Sequence, residues 1–183
     1  MKSKKLTFMA LLLAIALTIF VVEAHIPPIV PIAGVKLGLA NIVTLAALVW
    51  LGRGEAFTIL ILRIVLGSVF AGQAVSFMYS LGGGLLCFLI MAIALKLLGE
   101  KTLWVVSVFG ALSHNIGQIA IAVVLTGSVG IIAYLPVLII SGVITGAATG
   151  LAARWTDSMR MPSGRKRSAT RRSYSSKEKV TAA

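Results

Sequence analysis

Leu103-Trp104-Val105-Val106-Ser107-Val108-Phe109-Gly110-Ala111-Leu112-Ser113-His114-Asn115-Ile116-Gly117-Gln118-Ile119-Ala120-Ile121-Ala122-Val123-Val124-Leu125 runs without one formally charged residue. A helix needs about 20 predominantly apolar residues, within a range of about 17–25, to cross the hydrocarbon core of a bilayer. This stretch meets that length. At its centre it carries Ser113-His114-Asn115 and Gln118, polar groups that are expensive inside a membrane and face a bundle interior where they occur. The stretch therefore predicts two things together: a membrane helix, and an interior with something polar in it.

The rest of the chain agrees. Its 183 residues are 58% hydrophobic and only 12% charged, with a mean hydropathy of +1.02. A soluble domain of this size needs far more charge to cover its surface. The length predicts one domain. Six spans are expected, at Leu6–Val22, Val35–Leu51, Ala56–Ala74, Leu81–Leu98, Leu103–Leu125 and Val129–Ala153. Short breaks with turn chemistry separate them: Pro27-Pro28 and Pro31, Gly52-Arg53-Gly54-Glu55, Gln73 to Ser80, Gly99-Glu100-Lys101 and Thr126-Gly127-Ser128. The second span is the weakest, being short with Lys36 at its start.

Orientation follows from the basic residues, which concentrate on the cytoplasmic side of membrane proteins. With the N-terminus inside, all of the 17 Lys and Arg residues except Lys36 and Arg63 fall on the inner side. Both termini are therefore expected in the cytoplasm. Trp50, Trp104 and Trp155 then fall at inner ends of spans, and Tyr79 and Tyr134 at outer ends, where interfacial aromatics belong. The N-terminal Lys2, Lys4 and Lys5 followed by an apolar run also fit a cleavable signal peptide. The spans that follow at once favour a retained first helix. The net charge of +12 is mostly a property of the end of the chain: residues 154–183 hold nine of the 17 basic residues against Asp157 and Glu178. The expected organisation is a transmembrane domain over 1–155 and a basic, disordered cytoplasmic tail over 156–183, lying against anionic lipid rather than reading a specific nucleic acid.

Among polar residues within spans, Arg63 is the most expensive, roughly 12 Å into the third span at 1.5 Å per residue. It reads either as an anion-binding or pairing residue, or as a structural arginine held by helix-end carbonyls or a glutamate. His114 and Gln118 stand at i and i+4 and share a face. With Asn115 and the small residues around them they read as a cavity wall, against the alternative of hydrogen bonding between helices. Gly142, Gly146 and Gly150 form a small-xxx-small stripe for close helix packing. Ala10 with Ala14, and Gly34 with Gly38, are weaker stripes. The loop from Glu23 to Lys36 is proline-rich yet apolar, which suits a lid over the outer mouth or a loop lying among lipid headgroups.

The missing residues narrow the chemistry. Asp157 is the sole aspartate, one cysteine (Cys87) is present, and there are two histidines. An Asp-rich magnesium site, a Cys-rich metal site, an ATPase loop and a nucleophile–base–orienter set are all beyond this composition. Neither catalytic residues nor a cofactor or metal are expected.

Three motifs carry a resemblance: Gly34-Val35-Lys36-Leu37-Gly38-Leu39-Ala40-Asn41-Ile42-Val43-Thr44-Leu45, Leu62-Arg63-Ile64-Val65-Leu66-Gly67-Ser68, and Gly110 through Gln118. Together they resemble the bacterial family known both as Gx transporter and as heptaprenyl diphosphate synthase component I, over about Leu6 to Ala153. That family is in turn similar to the substrate-binding S components of energy-coupling factor importers, six-helix membrane proteins that capture a nutrient near the outer side. The resemblance implies an all-α membrane bundle and partners in the form of a T subunit and two ATPases. It implies a T-subunit contact through Ala10 and Ala14. It points to the 25–36 loop, Asn41, His114, Asn115 and Gln118 as the binding region; joined with the intramembrane charge, this predicts a pocket lined by Arg63, His114, Asn115 and Gln118 and closed from outside by Lys36 and Asn41. The synthase name implies instead a non-catalytic accessory role in making a long prenyl diphosphate, since the paired Asp-rich motifs of a prenyl synthase are missing.

Overall fold

In the computed structural model, residues 2–25, 38–72, 74–99 and 102–158 are described. They form six α-helices: α1 (Lys2–Ala24), α2 (Asn41–Trp50), α3 (Arg53–Ala71), α4 (Ala74–Leu98), α5 (Leu103–Thr126) and α6 (Leu135–Ser158). A short 3-10 helix, Val129–Tyr134, leads into α6. No strand occurs among the described residues. In hydrocarbon every backbone polar group must be satisfied within the chain, which leaves the helix as the natural form for these apolar runs.

Four segments are long and apolar enough to cross a membrane: Ser3–Glu23, Ala74–Leu98, Leu103–Thr126 and Val129–Ala152. The other two helices differ from them for separate reasons. Helix α3 has 19 residues but carries Arg53, Glu55 and Arg63. Helix α2 has ten, about 15 Å at 1.5 Å per residue, half of a hydrocarbon core of about 30 Å.

Helix α2 explains the weak second span. The expected span began at Val35, but residues 38–40 are not helical and Gly38 has φ +78°, while 26–37 lie outside the described residues. Asn41, Val43, Thr44, Leu45, Ala47 and Leu48 are all buried, so the helix is enclosed rather than lipid-facing. It packs against α1, α3, α4, α5 and α6. The main core is built around it, joining Leu12 and Ala16 of α1, Ile59 of α3, Cys87 and Met91 of α4, and Val106 of α5. At its C-terminal end Trp50 packs on Phe8 with ring centroids 5.8 Å apart. Lys5 pairs with Glu55 nearby in sequence to those rings.

The fourth span also differs from expectation. Residues 74–80, read as a break, are helical, and Gly82-Gly83-Gly84 lies within α4. The glycines serve packing. A Cβ on Gly117 of α5 would stand 2.7 Å from the Gly82 carbonyl oxygen and 2.9 Å from Gly83 Cα. The two backbones touch there, and no side chain fits between them. The stripe on α6 behaves the same way: a Cβ on Gly146 would lie 2.7 Å from Val108 Cα, and one on Gly150 2.5 Å from Trp104 Cα. Ser107 and Thr149 add a side-chain hydrogen bond of 2.8 Å between α5 and α6. Helix α5 is thus gripped on two separate faces by α4 and α6.

The expected disordered tail falls on residues outside the described set from 159 onward, while 156–158 close α6. Replacing Gly117 with valine should lower the thermal stability of the detergent-solubilised protein by about 1–3 kcal/mol, the usual range for overpacking. Gly130→Ala is the control, since a Cβ there meets only Ser128 Oγ at 3.6 Å. Thermal unfolding followed by size-exclusion chromatography would check both; equal stability of the two variants contradicts the backbone contact.

Candidate functional site

The inward stripe of α1 runs Leu12, Ala16, Phe20 and Glu23, all buried. Their spacing of four, four and three keeps one helical face. The stripe therefore delivers a carboxylate to the interior: Glu23 is 5% exposed. Its Oε1 accepts the N–H of Gly38, and the N–H of Leu39 at 3.4 Å. These donors belong to the non-helical residues ahead of α2, where no helical carbonyl is available to them. Asn41, Ile42 and Val43 then donate to the carbonyls of Gly38, Leu39 and Ala40 at 2.9–3.2 Å, winding up the first turn.

The inward stripe of α3 is Ala56, Ile59, Leu60, Arg63 and Ile64. Arg63 is 4% exposed. Its Nη1 and Nη2 both donate to one acceptor, Asn41 Oδ1, at 3.5 and 3.4 Å. These are long for N–H···O bonds, whose usual distance is about 2.9–3.0 Å. Arg63 Nε and Asn41 Nδ2 are buried and find no acceptor among the described residues.

From α5, His114 and Gln118 face the same space. Gln118 Nε2 and His114 Nε2 stand 2.9 Å apart, a side-chain contact within one turn of α5. The imidazole is wedged between two glycines: a Cβ on Gly38 would stand 2.7 Å from His114 Cδ2, and one on Gly83 would stand 2.9 Å from Cε1 and Nδ1.

These groups close on one cavity of about 10 Å³, bordered by Phe20, Glu23, Gly38, Ala40, Asn41, Arg63, Ser80, His114 and Gln118. It draws on α1 through α5. Of the residues expected in a pocket, Arg63, Asn41, His114 and Gln118 meet here. Asn115 does not border it. One residue turns a helix by about 100°, and Asn115 Nδ2 instead donates to the Leu138 carbonyl of α6 at 2.6 Å. Lys36 lies outside the described residues. Ala10 and Ala14 are exposed on α1 and away from the cavity lining.

Two lining residues were missed by sequence reasoning. Glu23 was assigned to the start of the outer loop, because α1 is apolar on nearly every face and gives no contrast to mark its inward one. Ser80 was assigned to a break that is helical. Glu23→Ala should lower stability by about 1–3 kcal/mol, the usual cost of leaving buried donors unsatisfied. Glu23→Gln, whose amide oxygen still accepts, should recover much of that loss in the same thermal measurement; equal losses would show that the acceptor is not what matters.

Comparison with known families matches residues 12–156 to heptaprenyl diphosphate synthase component I. No curated protein and no solved structure matches the chain. The matched segment takes in α2, α3, α4 and α5 whole, and with them every lining residue of the cavity. The chain belongs to the heptaprenyl diphosphate synthase component I family.

Proposed function

We propose that this chain is a multi-pass membrane subunit that binds a small molecule bearing an anionic group, in the manner of an importer's S component, with partner subunits supplying energy. The observation that carries this reading is the arginine. A charged group at the centre of a span costs about 2.5–3.5 kcal/mol even on the lenient insertion scales. Arg63 is buried in an apolar bundle, borders a cavity, and spends two of its five donors on one long-range acceptor. A purely structural arginine would be expected to have its donors filled. His114, Gln118, Asn41 and Ser80 give the same cavity hydrogen-bonding capacity suited to a polar solute.

In this reading the termini face the cytoplasm, as the distribution of basic residues favours, and residues 156–183 sit at the inner lipid surface. The exposed Ala10 and Ala14 offer a shallow face on α1 where a membrane partner helix can approach closely.

A second reading draws on the family match: a non-catalytic membrane partner of a prenyl diphosphate synthase. The composition fits a non-catalytic part, since the sole aspartate, Asp157, lies near the end of α6.

A tagged chain purified from native membranes in mild detergent, with partners identified by mass spectrometry, separates the two. Recovery of a membrane T subunit with two ATPases is the expected result. Recovery of a soluble prenyl synthase subunit without ATPases would replace the importer reading with the second. For the identified solute, Arg63→Ala should weaken binding by about 10–100-fold, corresponding to about 1.5–3 kcal/mol for a hydrogen bond to a charged group. Unchanged affinity in a folded variant removes Arg63 from the site.

A further inference from the structure

We propose that the cavity at Arg63 receives the carboxylate head of a small solute and rejects a diphosphate. The proposal rests on reading this cavity as a ligand site and adds the class of head group that enters it.

The first argument is the balance of donors and acceptors. Asn41 turns its Oδ1 to Arg63, so its Nδ2 is left as a donor. Arg63 Nε and Asn41 Nδ2 are both buried and both lack an acceptor among the described residues. The two residues are each 4% exposed, so bulk water does not fill these positions freely. What Arg63 Nε and Asn41 Nδ2 lack is an acceptor of their own, although Glu23 lines the same cavity. A carboxylate is such a group, and its paired oxygens match arginine geometry.

The second argument is charge. Among the described lining residues Arg63 is the one permanent cation, and Glu23 lines the same cavity. A carboxylate brings one negative charge to a guanidinium already opposed by another. A diphosphate brings two or three, and uncompensated charge in a low-dielectric interior costs several kcal/mol per ion. Diphosphate sites ordinarily recruit magnesium or several cations. Here Glu23 is the single acidic side chain beside the arginine.

The third argument is size. About 10 Å³ is close to the space that one water-sized group needs. A carboxylate head, one carbon with two oxygens, asks for less widening than a diphosphate, which is several times its volume. A diphosphate requires α1, α2, α3 and α5 to separate, against the core that joins them around α2.

The test uses the full chain in lipid nanodiscs, with thermal stabilisation measured against sodium benzoate, sodium acetate and inorganic pyrophosphate at matched ionic strength. The expected result is stabilisation by a carboxylate at millimolar concentration that disappears in Arg63→Gln, with no Arg63-dependent effect of pyrophosphate. Asn41→Ala should weaken the carboxylate response at least fivefold, and it carries the comparison if Arg63→Gln does not fold. An unchanged response in Asn41→Ala overturns the proposal. Stabilisation by pyrophosphate that depends on Arg63 and exceeds that of the carboxylates overturns the carboxylate assignment while leaving a ligand site in place. No Arg63-dependent response to any of the three anions overturns both the assignment and the anion-binding reading beneath it.

Discussion

One carboxylate bound to two backbone N–H groups sets the geometry on which the interior depends. Helix α2 spans only about half of a hydrocarbon core, so the chain must enter it through non-helical backbone within the bundle. Such backbone is tolerated at membrane depth only where protein or a cavity satisfies it. Glu23 supplies the acceptor for Gly38 and Leu39. With the lead-in held, Asn41 stands at the start of α2 against Arg63, and α2 takes its place at the centre of the bundle. Gly38 fits this bend for two reasons. Its φ of +78° is in the left-handed region, and a Cβ would collide with His114 and Asn41.

The second constraint is the closeness of α4, α5 and α6. In a bilayer, burial of apolar surface from water does not drive helices together, so contact area and hydrogen bonds must. Glycine-on-glycine contact at Gly82, Gly83 and Gly117, and the α6 stripe against Val108 and Trp104, bring the backbones within reach. This closeness is also what fixes the imidazole. His114 of α5 fills the gap left by Gly83 of α4 on one side and by Gly38, ahead of α2, on the other, so α4 and that lead-in determine where its ring lies.

Much of this was legible in the sequence, and the misses share a cause. Apolar runs marked the helices, and the spacing of His114 with Gln118 placed both on one face. Arg63 stood out because a charge in hydrocarbon needs a reason. What the sequence does not reveal is which side of an all-round apolar helix faces inward. Helix α1 is apolar on nearly every face, so the register that carries Glu23 inward had no contrast to reveal it. Helix α5 is buried on two adjoining faces, so neighbouring His114 and Asn115 read as one wall although they serve different helix contacts. The fourth span was expected to open at Leu81, next to Gly82-Gly83-Gly84, because glycine weakens an isolated helix, whereas α4 starts at Ala74. In α4 the close approach of α5 compensates for that weakness.

The polar residues of the interior then divide by how completely their bonding is met. Ser107 and Thr149 satisfy each other at 2.8 Å across α5 and α6, and the pair acts as interhelical glue. Arg63 spreads two donors over a single oxygen at 3.4–3.5 Å and leaves Nε without an acceptor among the described residues. A bundle that only needed a polar contact between α2 and α3 would achieve it more cheaply with a neutral side chain, since a guanidinium carries a desolvation cost that one amide oxygen does not offset. The excess of donor capacity over acceptors at Arg63, which borders the cavity, is therefore the observation on which the proposed anion site rests.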